Sequence, residues 1–222
     1  MSQISSDNEL THCSHMETRE PIPVEGVYHE RQMKELCALH ALNNLFQSGT
    51  AFTKKDLDEI CVKLSPNAFI NPHRNILGLG NYDVNVIMAA LQKKGYETIW
   101  FDKRKDVGVL VVENIMGFIL NTPTDYRLGF VRLPFHRKHW IAIRKVGDFF
   151  LNLDSKLDSP EMIGGPDDLV TFLRHELREG DKELLLVVDA RVSEAALWRR
   201  DSLTLAQHTN HLMNGSDELN NV

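Results

Sequence analysis

Between residues 37 and 46 the apolar side chains come in adjacent pairs, Cys37-Ala38, Ala41-Leu42 and Leu45-Phe46, four residues apart. That spacing keeps one stripe of a helix apolar, and the stripe is predicted to end near Gly49. A second helix should follow, because Leu57, Ile60, Cys61 and Leu64 fall at i, i+3, i+4 and i+7 behind Thr53 and Asp56, a capping pair. Ser65-Pro66 should stop it, since the residue before a proline is pushed out of helical geometry. Residues 65–82, "SPNAFINPHRNILGLGNY", are rich in Asn, Gly and Pro and predict a long irregular connection of the kind that moves or carries function. Asp83 can cap a third helix running to about Lys94, with Val84, Ile87, Met88 and Leu91 facing inward and Gly95 as terminator.

Beyond Gly95 the period changes. "YETIWF" reads as a strand and "DKRKD" as a solvated loop, while residues 107–121 are apolar enough for strand or helix and periodicity does not decide between them. "GFVRLP", "HWIAIRKV", "DFFLNLD" and "ELLLVVD" read as strands, with a proline-started helix from Pro166 to about Arg178 between the last two. Helices first and a mostly antiparallel sheet second argue for an α+β domain over 27–189. Residues 1–26 are polar and aperiodic and are expected to form a disordered lead-in; 190–222 read as a polar tail broken by a short "AALW" patch.

Composition narrows the function classes. The formal net charge of 25 − 31 = −6 gives no basic field to attract nucleic acid or an anionic membrane. No apolar run is long enough for a transmembrane segment and the N-terminus has no apolar signal region, so a monomer in the cytoplasm, or also the nucleus, is expected. Three cysteines, Cys13, Cys37 and Cys61, form no C-x-x-C pair, so each is judged as a single reduced thiol.

Cys37 has three readings. A free cysteine on an apolar stripe is at home in a core. A thiol at a helix N-terminus also faces unsatisfied N–H groups and the positive dipole end, which favour a thiolate nucleophile. Cys37-x-x-His40 with His136-x-x-His139 could instead hold zinc, although the cations of "HRKH" oppose it. Cys61 is expected to be packing and Cys13 to have no role. A nucleophile needs a base, and of ten histidines His40, His136 and His139 deserve most weight, with His12, His15, His208 and His211 in the tails, and His29, His73 and His175 less favoured. If Gly147-Asp148 makes a two-residue hairpin turn, paired positions sum to 295, His139 faces Lys156, and Asp154 is its diagonal neighbour. A carboxylate there could orient the imidazole toward a thiol, or the two could be only a polar pair at a strand end.

"YHERQMKELCALHALNNLFQ" followed by "HWIAIRKVGDFFLNLDSKL" closely resembles the Josephin domain, the papain-like cysteine peptidase fold of one class of deubiquitinating enzymes. The likeness covers roughly residues 27–189 and is similar to the single-domain Josephin proteins more than to the ataxin branch, there being no polyglutamine tract. The resemblance implies Cys37 as nucleophile, His139 as general base and later acid, Asp154 as the residue orienting it, and Gln32 as oxyanion donor, with no cofactor and no metal. It implies ubiquitin and ubiquitinated proteins as partners, isopeptide hydrolysis through a thioester, and a helical arm over 50–80 above the ubiquitin tail. On this reading His40 is structural, Asn43-Asn44 satisfy backbone groups, and Trp140 either lines the tail's path or belongs to the core. The rivals are a ubiquitin-binding module of the same fold with little or conditional hydrolysis, and a structural adaptor.

Overall fold

Alternation along the strands decides the architecture. In β6 (Glu183–Asp189) Leu184, Leu186 and Val188 turn to one apolar cluster, and Leu185 and Val187 to another. In β2 (Gly117–Leu128) Phe118 and Leu120 go one way and Ile119 the other. A sheet that is apolar on both faces must be covered on both, which is why "ELLLVVD" is an unbroken apolar run between its charged ends. Helices α1 (Cys37–Phe46), α2 (Lys54–Leu64) and α3 (Val84–Lys93) cover one face. Helix α4 (Pro166–Arg178) and two single 3-10 turns, Val107–Val109 and Val112–Asn114, cover the other.

The computed structural model describes residues 26–33, 35–74, 80–128, 131–178 and 181–200, and backbone alone over 124–128 and 131–137. The other strands are β1 (Tyr96–Trp100), β3 (Val131–Val146), β4 (Phe149–Asn152) and β5 (Glu161–Gly164). The six-stranded order is β1-β6-β2-β3-β4-β5 with every neighbouring pair antiparallel, so the molecule is α+β. No helix among the described residues is long and apolar enough to cross a membrane.

Local chemistry places the helix ends where the sequence predicts them. The Thr53 hydroxyl accepts from Asp56 N–H at 3.2 Å while the Asp56 carboxylate accepts from Thr53 N–H at 2.7 Å, a complete capping box. Asp83 caps α3 by accepting from Val86 N–H at 3.2 Å. The β3–β4 hairpin has the expected register, Ile143 opposite Asn152 and Val146 opposite Phe149, with Gly147 at φ +61° in the turn.

Elsewhere the structure differs from the sequence reading. "GFVRLP" and "HWIAIRKV" were expected as two strands, and their described residues form the single strand β3. Residues 107–121 resolve into the two 3-10 turns followed by β2, and β5 was not anticipated. The β3–β4 ladder ends at Asn152, so Lys156 does not stand opposite His139. Lys156 N–H donates to Asp154 Oδ1 (2.9 Å) and Leu157 N–H to Asp154 O (3.0 Å), curling the chain into a turn there. Past β6, residues 190–200 do not leave the domain: α5 (Ala190–Glu194) starts on an Asp189 cap, Arg199 bridges Leu110, and Trp198 packs on the second cluster. The expected lead-in, with Cys13, His12 and His15, lies outside the described residues but for Gly26, as does the tail from 201, with His208 and His211.

Candidate active site

Helix α1 presents Cys37 as its first residue, and the apolar Leu36 at the N-cap has no side-chain acceptor to offer the first turn. The unsatisfied N–H groups and the positive end of the helix dipole therefore lie at Cys37. Farther along, the half-buried Arg144 of β3 donates to the carbonyl of Leu45, which ties the C-terminal turn of α1 to the strand that carries His139.

The Cys37 and His139 side chains are close enough to interact, and His139 Nε2 meets Asp154 Oδ1 at 2.6 Å. With Nε2 engaged by the carboxylate, Nδ1 is the nitrogen left for the thiol. Both residues of the pair are nearly closed to solvent, Cys37 at 6% exposure and His139 at 4%. Burial pulls the His139 pKa down, but hydrogen bonds to Asp154 and Cys37 and the nearby carboxylate outweigh it, and the net shift is upward. Burial likewise pushes the Asp154 carboxyl up, and hydrogen bonds from His139 and the Lys156 N–H outweigh it, so its pKa lies below the ordinary value. The two shifts agree: the site favours a carboxylate beside an imidazolium. The Asp154 carbonyl receives His29 Nε2 at 2.9 Å and its N–H donates to Asn152 Oδ1 at 3.1 Å, so its backbone is held on both sides.

Gln32 is half-buried, and its N–H donates to the carbonyl of Ser155 at 2.6 Å. Together with Arg31, Ser155 and Lys156 it lines a cleft of about 330 Å³ next to Asp154. The chain before the nucleophile is pinned from a second side by Gly80, which bridges Glu35, with Asn81 N–H donating to Glu35 O at 2.7 Å. Gly80 has φ +117°, and a Cβ there would lie 2.4 Å from the Glu35 carbonyl, so the close approach requires glycine.

The remaining candidates take structural places. His40 uses both ring nitrogens, Nε2 accepting from Met33 N–H at 3.2 Å and Nδ1 on Glu30 Oε2 at 2.6 Å, which leaves no lone pair for a metal. The side chain of His136 lies outside what is described. Cys61 is fully buried and burial pushes its thiol up to about 11, so it is inert packing. His73 bridges Ser65 Oγ (3.1 Å) and Asp83 Oδ2 (2.8 Å), closing the connection between α2 and α3. Trp140 is 3% exposed and donates to the Tyr82 carbonyl at 3.0 Å within the first core cluster, so it does not line a substrate path.

Sequence reading expected His40 to be structural and Asn44 to satisfy backbone groups, and did not anticipate that with Gln47 they form one polar stripe on α1. His40, Asn44 and Gln47 continue the face of Cys37 at i+3, i+7 and i+10, and each binds the backbone of segment 28–33. Gln47 pairs with Tyr28 N–H and C=O (3.0 and 3.1 Å), Asn44 with Glu30 N–H and C=O (2.6 and 3.3 Å), and His40 with Met33 N–H. Asn44 also donates to the carbonyl of Leu153 at 2.9 Å, next to Asp154.

The Josephin family model matches residues 32–188. Among characterised proteins, mouse Josephin-2 is 49% identical over 177 residues, covering 80% of this chain and 94% of that protein. The Josephin-like protein of Drosophila melanogaster is 50% identical over 165 residues, 74% of each chain. Human ataxin-3 is 29% identical over 175 residues, 71% of this chain and 44% of its own. With a family model spanning most of its length and near-half identity to full-length relatives, the chain belongs to the Josephin family.

Proposed function

We propose that the protein is a cysteine-type deubiquitinase that hydrolyses isopeptide bonds at the C-terminus of ubiquitin. Membership of the Josephin family supports a deubiquitinase-type function. The observation that carries the finer reading is His139, hydrogen-bonded to Asp154 and set beside Cys37, the first residue of α1. In this mechanism the Cys37 thiolate attacks the carbonyl carbon of ubiquitin's last glycine. Charge develops on that oxygen, where the Gln32 carboxamide and a first-turn N–H of α1 stabilise it. The C–N bond breaks as His139 gives its proton to the departing lysine amine, leaving a thioester. His139, now neutral, takes a proton from water as it attacks the thioester, and the thiol is released with a free ubiquitin carboxylate. Asp154 holds the imidazole with Nδ1 toward sulfur throughout. No step needs a metal or cofactor.

Val62 and Leu64 stand exposed at the end of α2 and Phe69 and Ile70 on the connection that follows, with Phe69 having no cover at all. Apolar side chains grouped on one segment suit a protein partner, so this reading assigns them to ubiquitin. The near closure of Cys37 and His139 favours a second form of the same reading, a ubiquitin-binding module whose hydrolysis awaits opening. Steady-state cleavage of a fluorogenic amide at the C-terminus of ubiquitin separates the two. Turnover abolished by Cys37→Ala supports the hydrolase; binding of ubiquitin with equal, background turnover in both proteins supports the module.

A further inference from the structure

We propose that His40, held by Glu30, is a positioning residue that sets where the oxyanion donor Gln32 stands relative to Cys37. The inference rests on the hydrolase reading above and extends it to a residue outside the Cys37, His139, Asp154 series. Gln32 belongs to a segment with no helical or strand ladder of its own, so its position must be imposed from outside. Two bonds next to it do this. Its own N–H is fixed to the Ser155 carbonyl, on the Asp154 side of the site, and the following N–H, of Met33, is fixed to His40 Nε2, one helical turn after the nucleophile. The first bond registers Gln32 against the triad acid and the second registers it against the helix of Cys37.

His40 can accept from Met33 only as the tautomer protonated on Nδ1, and the Glu30 carboxylate at 2.6 Å secures that tautomer by accepting the Nδ1 proton. Glu30 is itself held by donors from Tyr28 and Asn43 and by the Asn44 bridge to its backbone. His40 is 6% exposed, so its ring nitrogens face protein groups rather than bulk solvent. Loosening this hold lets the carboxamide drift from the point where the oxyanion forms, and an oxyanion donor acts only when pre-placed.

The test is a double-substitution cycle on the full chain, read by cleavage of the fluorogenic ubiquitin amide, with alkylation of Cys37 by iodoacetamide as an activity-independent readout. His40→Asn keeps a donor toward Glu30 but is too short to reach Met33. His40→Gln keeps an acceptor near the Nε2 position. The expected results are a fall in kcat of about 10- to 100-fold for H40N with KM within about 2-fold, and recovery to within about 5-fold of wild type in H40Q. Alkylation should change less than about 2-fold, and H40N added to Gln32→Ala should cost less than about 2-fold more. Melting temperatures of both variants show that they fold; should H40N not fold, Met33→Pro, which deletes the N–H itself, replaces it in the cycle with the same expectation. Losses that multiply in the double variant, or alkylation that falls in step with kcat, would overturn the assignment while leaving the hydrolase reading intact. Wild-type protein that alkylates normally but cleaves no ubiquitin amide would overturn the hydrolase reading and this assignment with it.

Discussion

At the scale of residues, each member of the site can be asked what its removal does. Cys37→Ala and His139→Ala should each lower kcat/KM by about 10⁴-fold or more, because the nucleophile and its base act as a unit. Asp154→Ala should cost about 10²-fold or more, whereas Asp154→Asn keeps a carbonyl acceptor for His139 Nε2 and should cost less than Asp154→Ala. The Asn variant also makes a directional prediction. The carboxylate raises the imidazole pKa, so its neutral replacement should move the imidazole-governed limb of the pH–rate profile to lower pH. An unmoved limb would separate Asp154 from the imidazole. The thiols should differ equally clearly: near pH 7 iodoacetamide should label Cys37 and leave the Cys61 peptide untouched, since burial pushes Cys61 up to about 11.

At the scale of elements, the polar stripe of α1 joins three otherwise separate segments, and Asn44 is its centre. Asn44→Ala would leave the Leu153 carbonyl without its partner in a buried place and the Glu30 N–H without its partner in a partly buried one. The cost should be about 2 to 3 kcal/mol, seen as a fall in Tm of roughly 5 to 10 °C. On the α2–α3 excursion, Phe69→Ala with Ile70→Ala should raise KM for ubiquitin substrates several-fold, leave kcat near wild type, and not lower Tm, because both side chains are exposed. An unchanged KM would remove this surface from the account. The same elements show what sequence can disclose. The Thr53 capping box, the Asp83 cap and the Gly147 turn are local, so a few neighbouring letters specify them. Strand β5 was not legible because its four residues, "EMIG", carry no alternation and owe their conformation to pairing with β4. Sequence reading brought Cys37, His139 and Asp154 together through family likeness and through a hairpin register that the ladder keeps only as far as Asn152, but it gave no sign of the bond that His40 makes: its partner Met33 lies outside the helix and offers only a backbone N–H, which leaves no mark in a sequence.

At the scale of the whole molecule, a sheet covered on both faces is a rigid support, and it holds the His139 side of the site while α1 holds the Cys37 side. The paired charges then link the site to overall stability. His139 has a folded pKa above its ordinary 6.5, so its contribution is fully present below that value and is lost as pH rises through the folded one. Asp154 has a folded pKa below its ordinary 3.8, so its contribution is present above 3.8 and is lost as pH falls through the folded value. The pair therefore stabilises most between these two ordinary values, and the difference in Tm between wild type and His139→Ala should peak there and shrink on either side. A difference independent of pH would mean that the two groups are not a charged pair in the folded protein.

Cys37, at the head of α1 and beside His139, is proposed as a nucleophile aligned for the ubiquitin C-terminus. Incubating the protein with ubiquitin that carries a thiol-reactive electrophile in place of its last carboxylate, and weighing the products by intact mass, tests it most directly. The account predicts one covalent ubiquitin adduct, located on Cys37 and absent from Cys37→Ala. A folded wild-type protein that forms no adduct, or one that forms it equally well in Cys37→Ala, would contradict it.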